Sequence, residues 1–118
     1  MKTVKFILVT FFTVLVVAGC NSQNQNKKTT SKTEEIKVLG ECGMCKDRIE
    51  GAMKIDGITE AVWNQETKLL TVTYNPALIT VDDIQKKVAA VGHDTEKYRA
   101  DDAVYASLPG CCHYERWN

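Results

Sequence analysis

Cys42 and Cys45, separated by Gly43 and Met44, are the residues of this chain best placed to do chemistry. At the start of an amphipathic helix, thiols three positions apart aim at one point. Such a pair can grip a soft metal ion, close a small disulfide or shuttle electrons. A helix N-terminus lowers thiol pKa values and so favours the thiolate form. Thiolates select Cu(I), Zn(II) and other thiophilic ions over hard cations. Two sulfurs also bind Cu(I) almost linearly and leave it open to a partner's cysteines. That openness permits transfer, whereas a closed four-ligand site stores the ion.

A second sulfur and nitrogen cluster stands at Cys111-Cys112-His113. Adjacent cysteines rarely bond to each other, because the peptide between them resists the geometry. The trio therefore forms a second metal site, extends the first, pairs with Cys42 or Cys45 as a redox lock, or bridges the tail to the domain. His93, after Gly92, is a third ligand, a pH-sensitive gate or a plain surface residue. Met44 offers a thioether or packs the loop. Lys46 is available to offset the negative charge of a bis-thiolate complex. Trp63 reads as core, and Asp82-Asp83 and Asp101-Asp102 as helix N-terminal charges. No Ser-His-Asp set, phosphate loop or paired catalytic carboxylates stand out, which points away from an enzyme.

The elements that must position these groups occupy only part of the chain. Lys2 and Lys5 precede an apolar run from Phe6 to Ala18 that ends at Val17-Ala18-Gly19-Cys20. The run falls short of the about 20 apolar residues of a comfortable membrane span and reads as a cleavable signal over residues 1–19. The small residues before Cys20 resemble a bacterial lipobox, so Cys20 is expected to be lipidated and to become the mature N-terminus. This places the chain in the cell envelope, periplasm-facing or otherwise extracytoplasmic, held to a membrane by its anchor, where disulfides can persist. With 15 basic and 15 acidic residues, loss of Lys2 and Lys5 leaves 13 against 15, a balance near −2. No basic patch suits nucleic acid.

Residues 20–33 hold almost only Asn, Gln, Ser, Thr and Lys after Cys20 and read as a flexible tether. From residue 34 to 100 a small domain is expected. Ile36 and Val38 alternate as in a half-buried strand. Ile49, Ala52 and Met53 fall at helical spacing until Asp56-Gly57. Runs 58–64 and 68–74 flank the turn Gln65-Glu66-Thr67 as a hairpin. Thr80 caps a helix over 81–91 with Ile84, Val88 and Val91 on one face, closed by Gly92. Residues 93–100 supply at most a weak edge strand. The order βαββαβ predicts an α+β, ferredoxin-like sandwich with two helices on one face of a four-stranded antiparallel sheet. Residues 101–118 form a cysteine-containing extension, with a short helix within 101–108 and a turn at Pro109-Gly110.

In this order of elements, Cys42-x-x-Cys45, Ile49-Glu50, Gly57-Ile58, Val72, Tyr74, Ile84 and Gly92 resemble the heavy-metal-associated domain family of copper chaperones, metal-pump N-terminal modules and periplasmic mercury-binding proteins. The resemblance covers residue 35 to about 100. It implies metal ligation by Cys42 and Cys45, with Cu(I) the expected cargo and Hg(II) or Zn(II) as variants. It implies a metal-transporting pump or efflux component as partner. Where the family has Gly-Met-x before its first cysteine, this chain has Leu39-Gly40-Glu41, so Leu39 or Met44 is expected to take over the methionine's packing beneath the loop. Two other classes remain open: a thiol-disulfide redox protein using the same cysteines, and a non-catalytic interaction module held by two disulfides.

Overall fold

The computed structural model describes residues 30–117. The signal segment, Cys20 and most of the tether lie outside these residues. No helix among the described residues is long and apolar enough to cross a membrane.

The elements run β1 (Lys32–Lys37), α1 (Gly43–Ala52), β2 (Ile58–Trp63), β3 (Leu69–Tyr74), α2 (Val81–Ala90) and α3 (Asp102–Ala106), followed by a 3-10 turn over Gly110–Cys112. The three strands form one antiparallel sheet in the order β1-β3-β2. Pairing runs from Lys32 opposite Tyr74 to Lys37 opposite Leu69. The sheet thus starts inside the stretch read as tether. Lys32 and Thr33 need no apolar side chain there, because Thr33 Oγ1 meets Thr73 Oγ1 at 2.9 Å on the exposed face.

Alternation on β3 buries Leu70, Val72 and Tyr74 and leaves Leu69, Thr71 and Thr73 half-buried. Onto the buried face pack Cys45, Ile49 and Met53 from α1 and Ile84 and Val88 from α2. Burying each large apolar side chain contributes about 1.5–3 kcal/mol. The hairpin turn forms because Asn64 Oδ1 accepts the N–H groups of Glu66 and Thr67 at 2.8 and 2.9 Å. At α2, Thr80 Oγ1 accepts Asp83 N–H while an Asp83 carboxylate oxygen accepts Thr80 N–H, a reciprocal cap.

The architecture is the expected α+β, ferredoxin-like one, with one difference at the last strand. Residues 93–100 meet β1 only at its end and just beyond it, through a single bridge, Val38 with Thr95. Side chains explain why pairing stops. Thr95 Oγ1 accepts Tyr98 N–H at 3.0 Å and Asp94 Oδ1 accepts Ala100 N–H at 2.8 Å, which folds the segment into a turn. Beyond it the tail is no loose appendage. Leu108, Cys112 and Tyr114 belong to the same buried cluster as the sheet and helices.

Candidate metal centre

Cys42 is the N-cap of α1, in extended backbone conformation, and its carbonyl accepts the N–H groups of Cys45 and Lys46. One turn of helix then brings the Cys45 sulfur to 3.7 Å from that of Cys42. Cys42 is half-buried and Cys45 fully buried. Glu41 N–H points at Cys45 Sγ from 3.5 Å. The loop needs glycine at position 40, since a Cβ there would meet the Trp63 ring at 2.9 Å and the Cys45 Cβ at 3.1 Å. Trp63 fills the core as expected and donates its indole N–H to the Val38 carbonyl at 3.0 Å.

Two side chains act differently from the sequence expectation. The Lys46 ammonium is held by Glu50 and the Trp63 carbonyl, so it ties α1 to β2. Glu50 Oε2 also accepts Trp63 N–H at 3.3 Å, which gives the Ile49-Glu50 signature a physical role at the end of β2. Met44 is 52% exposed and so packs nothing beneath the loop; Leu39 is the one that packs against the core. The Met44 thioether instead lies 3.5 Å from Cys111 Sγ.

Cys111 and Cys112 arrive at the same point. Cys42 Sγ lies 2.8 Å from Cys111 Sγ and 3.6 Å from Cys112 Sγ. The sulfurs of Cys42, Cys45 and Cys112 all lie within 4.8 Å of one another. Cys111 is exposed and Cys112 fully buried. The Cys111 thiol, at hydrogen-bond distance, holds the Cys42 pKa down to about 6 against the opposing effect of burial; the Cys45 backbone and the Cys112 thiol add to the lowering. The same contact pushes the Cys111 thiol up. Burial, then the neighbouring sulfurs, pushes Cys112 up further. The tail, through Cys111, is thus the leading cause of the lowering at Cys42.

The two histidines stay apart from the sulfurs. His93 is buried, with Nδ1 2.8 Å from the Leu39 carbonyl oxygen and Nε2 without a partner. Burial holds its pKa below the ordinary value. His113 is exposed and its ring lies 5.3 Å from that of Tyr105. Neither joins the sulfur group.

What carries the tail to the site is a polar clamp that sequence reasoning missed. The Asp94 carboxylate is fully buried and takes two bonds from Arg116, at 2.9 and 2.8 Å. Tyr114 Oη donates to the Gly92 carbonyl at 2.7 Å and accepts Asp94 N–H at 2.8 Å. Tyr105 Oη donates to the Tyr114 carbonyl at 2.7 Å. Burial opposes ionisation of Asp94, but Arg116 and the Ala100 N–H outweigh it and hold the carboxyl below its usual range. The readable signal is the period-two pattern of the tail: Cys112 and Tyr114 are buried and Arg116 nearly so, while Cys111, His113 and Glu115 face solvent.

Comparison with known proteins agrees with this geometry. The chain is 35% identical over 68 residues to a copper-exporting P-type ATPase of Staphylococcus saprophyticus, a match spanning 56% of this chain and 9% of the ATPase. It is 39% identical over 64 residues to a zinc-transporting ATPase of Synechocystis, spanning 52% of this chain and 9% of that protein. Thus it covers about a tenth of the length of these curated relatives. Among solved structures, a CopZ metallochaperone superposes with a TM-score of 0.53 at 32% identity, over 54% of this chain and 98% of the chaperone. The heavy-metal-associated domain matches residues 41–94, which contain Cys42 and Cys45 but neither cysteine of the tail. By this domain, the chain belongs to the heavy-metal-associated family.

Proposed function

We propose that the protein binds one soft metal ion at Cys42 and Cys45 and passes it on by thiolate exchange, with Cu(I) as the principal cargo. The observation that carries this reading is the pair of sulfurs 3.7 Å apart at the N-terminus of α1 in a heavy-metal-associated domain. A thiol whose pKa lies near 6 is ionised at neutral pH, so Cys42 offers a ready ligand without an added base. Cu(I) is preferred because the site is all sulfur and the relatives include a copper exporter and a CopZ metallochaperone. Hg(II) and Zn(II) are the competitors, Zn(II) with the support of the zinc-transporting relative. The role is carriage and not catalysis.

In this reading residues 1–19 are a signal, Cys20 carries a lipid, and residues from 20 to about 31 tether the domain to a membrane of the cell envelope. The partner is a metal-transporting pump or efflux component whose own thiolates accept the ion. A competing Cu(I) titration of the reduced chain tests the central part: a 1:1 complex with Kd below about 1 μM is expected, lost in Cys42→Ser. Weaker binding, or unchanged binding in that variant, would refute the assignment. Mass spectrometry of the mature N-terminus tests the anchor, which requires a lipid on Cys20 that Cys20→Ser abolishes.

The second reading, a thiol-disulfide redox protein, draws on the 2.8 Å approach of Cys42 and Cys111. Alkylation of the protein taken from cells separates the two. Free or metal-protected thiols support carriage, and a Cys42–Cys111 bridge present in most molecules supports the redox role.

A further inference from the structure

We infer that Cys112 is a third sulfur ligand resident in the site and Cys111 the exchange ligand at its mouth, so that the cargo sits among three thiolates and not between two. The inference rests on the metal-carrier reading above and specifies the ligand set of that same site.

Spacing is the first argument. With metal–sulfur bonds near ~2.3 Å, a linear complex separates its sulfurs by about 4.6 Å, a trigonal one by about 4.0 Å and a tetrahedral one by about 3.8 Å. Cys42 stands 3.7 Å from Cys45 and 3.6 Å from Cys112, and the three sulfurs lie within 4.8 Å of each other. The two edges that meet at Cys42 are those of a three- or four-coordinate site and too short for a linear span. At 2.8 Å from Cys42, Cys111 is too near to share an ion at those bond lengths without moving. It is exposed, beside the Met44 thioether.

Placement is the second argument. Cys112 is fully buried, in a 3-10 turn fixed by its N–H to the Pro109 carbonyl at 2.8 Å. Two residues on, Tyr114 is pinned to Gly92 and Asp94, and four residues on, Arg116 is paired with buried Asp94. The clamp holds the sulfur in place before any ion arrives, which lowers the entropic cost of adding a third ligand. Neither histidine lies in the group that Cys42, Cys45 and Cys112 form, so that ligand is sulfur.

Exchange then follows without redox change. An arriving soft ion meets Cys111 and Cys42 first; each sulfur still protonated as a thiol releases its proton to water as it coordinates, and one already present as thiolate releases none. As Cys45 and Cys112 bond to the ion, Cys111 leaves and takes up a proton. Delivery reverses the order, with Cys111 or an acceptor's thiolate adding before another sulfur departs.

X-ray absorption of the reduced full chain loaded with one equivalent of Cu(I) tests this through the number of bound sulfurs. Three sulfurs are expected in the wild type and two in Cys112→Ser, with Cu(I) affinity reduced at least about tenfold. Cys111→Ser should keep three sulfurs and slow transfer to a dithiol acceptor. A wild-type count of two would overturn the inference and leave the Cys42–Cys45 carrier standing. Absence of sulfur-bound copper would sink the carrier reading itself. Because the wild-type count needs no variant, a Cys112→Ser chain that folds poorly does not blunt the test.

Discussion

The two cysteine pairs meet at one point but are built by different means. Cys42 and Cys45 are set by a single helical turn, so local spacing alone brings their sulfurs together. Cys111 and Cys112 are adjacent and diverge, one exposed and one buried, and only a tertiary clamp brings them to the helix. The first pair belongs to the family's common design, and the second lies beyond the matched residues. The contrast teaches that sulfurs from beyond the matched residues can be brought to a two-thiol loop by an appended strap with its own polar anchor. It also predicts unequal sensitivity to mutation.

The largest effect should come from Arg116→Met. It leaves the Asp94 carboxylate buried and unpaired, which costs about 3–5 kcal/mol in the pattern of broken buried ion pairs. Chemical denaturation would show it, and Cys112 should become open to alkylation in the native state. If stability held and Cys112 stayed protected, the clamp would not be what places the tail.

Gly92→Ala comes next. Gly92 has φ +103, and an added Cβ would meet Leu108 Cδ2 at 2.9 Å. Backbone strain and the clash should together cost about 1–3 kcal/mol, again felt mainly by the tail. An unchanged unfolding midpoint would mean that Leu108 packs less closely on Gly92 than its position suggests.

The coupling between the pairs is legible in pH. In the reduced apo protein, Cys42 alkylation should rise with pH through about 6, because only the thiolate reacts. Removing the Cys111 thiol as Cys111→Ala should move that midpoint up, since its hydrogen bond is the leading cause of the lowering. A midpoint that ignores Cys111 would assign the lowering to the helix instead. The smallest effect belongs to Met44→Leu, within about 0.5 kcal/mol in stability, because Met44 is exposed. A larger loss would restore Met44 to the packing role that the sequence suggested.

Much of the domain was readable because its signals are local. The Asn64 turn, the Thr80–Asp83 cap and the alternation of Leu70, Val72 and Tyr74 each need only a few neighbouring residues. The last strand was not readable, since its loss depends on Asp94 and Thr95 turning their bonds inward to Ala100 and Tyr98. The meeting of the tail cysteines with Cys42 and Cys45 was among the sequence readings, but the clamp that holds it was not: Arg116 means little until Asp94, 22 residues earlier, is known to be buried beside it. Lys46 looked like a counter-ion because it follows Cys45, yet its side chain turns toward Glu50 and the end of β2. Short-range geometry gave the first two sulfurs, and long-range packing supplied the others.

Native mass spectrometry of the full-length protein purified from copper-supplied cells, followed by thiol alkylation after metal removal, tests the central claim most directly. The account predicts one copper ion per chain and alkylation of Cys42, Cys45, Cys111 and Cys112 once the metal is stripped. A metal-free chain holding these cysteines in two disulfides would contradict it.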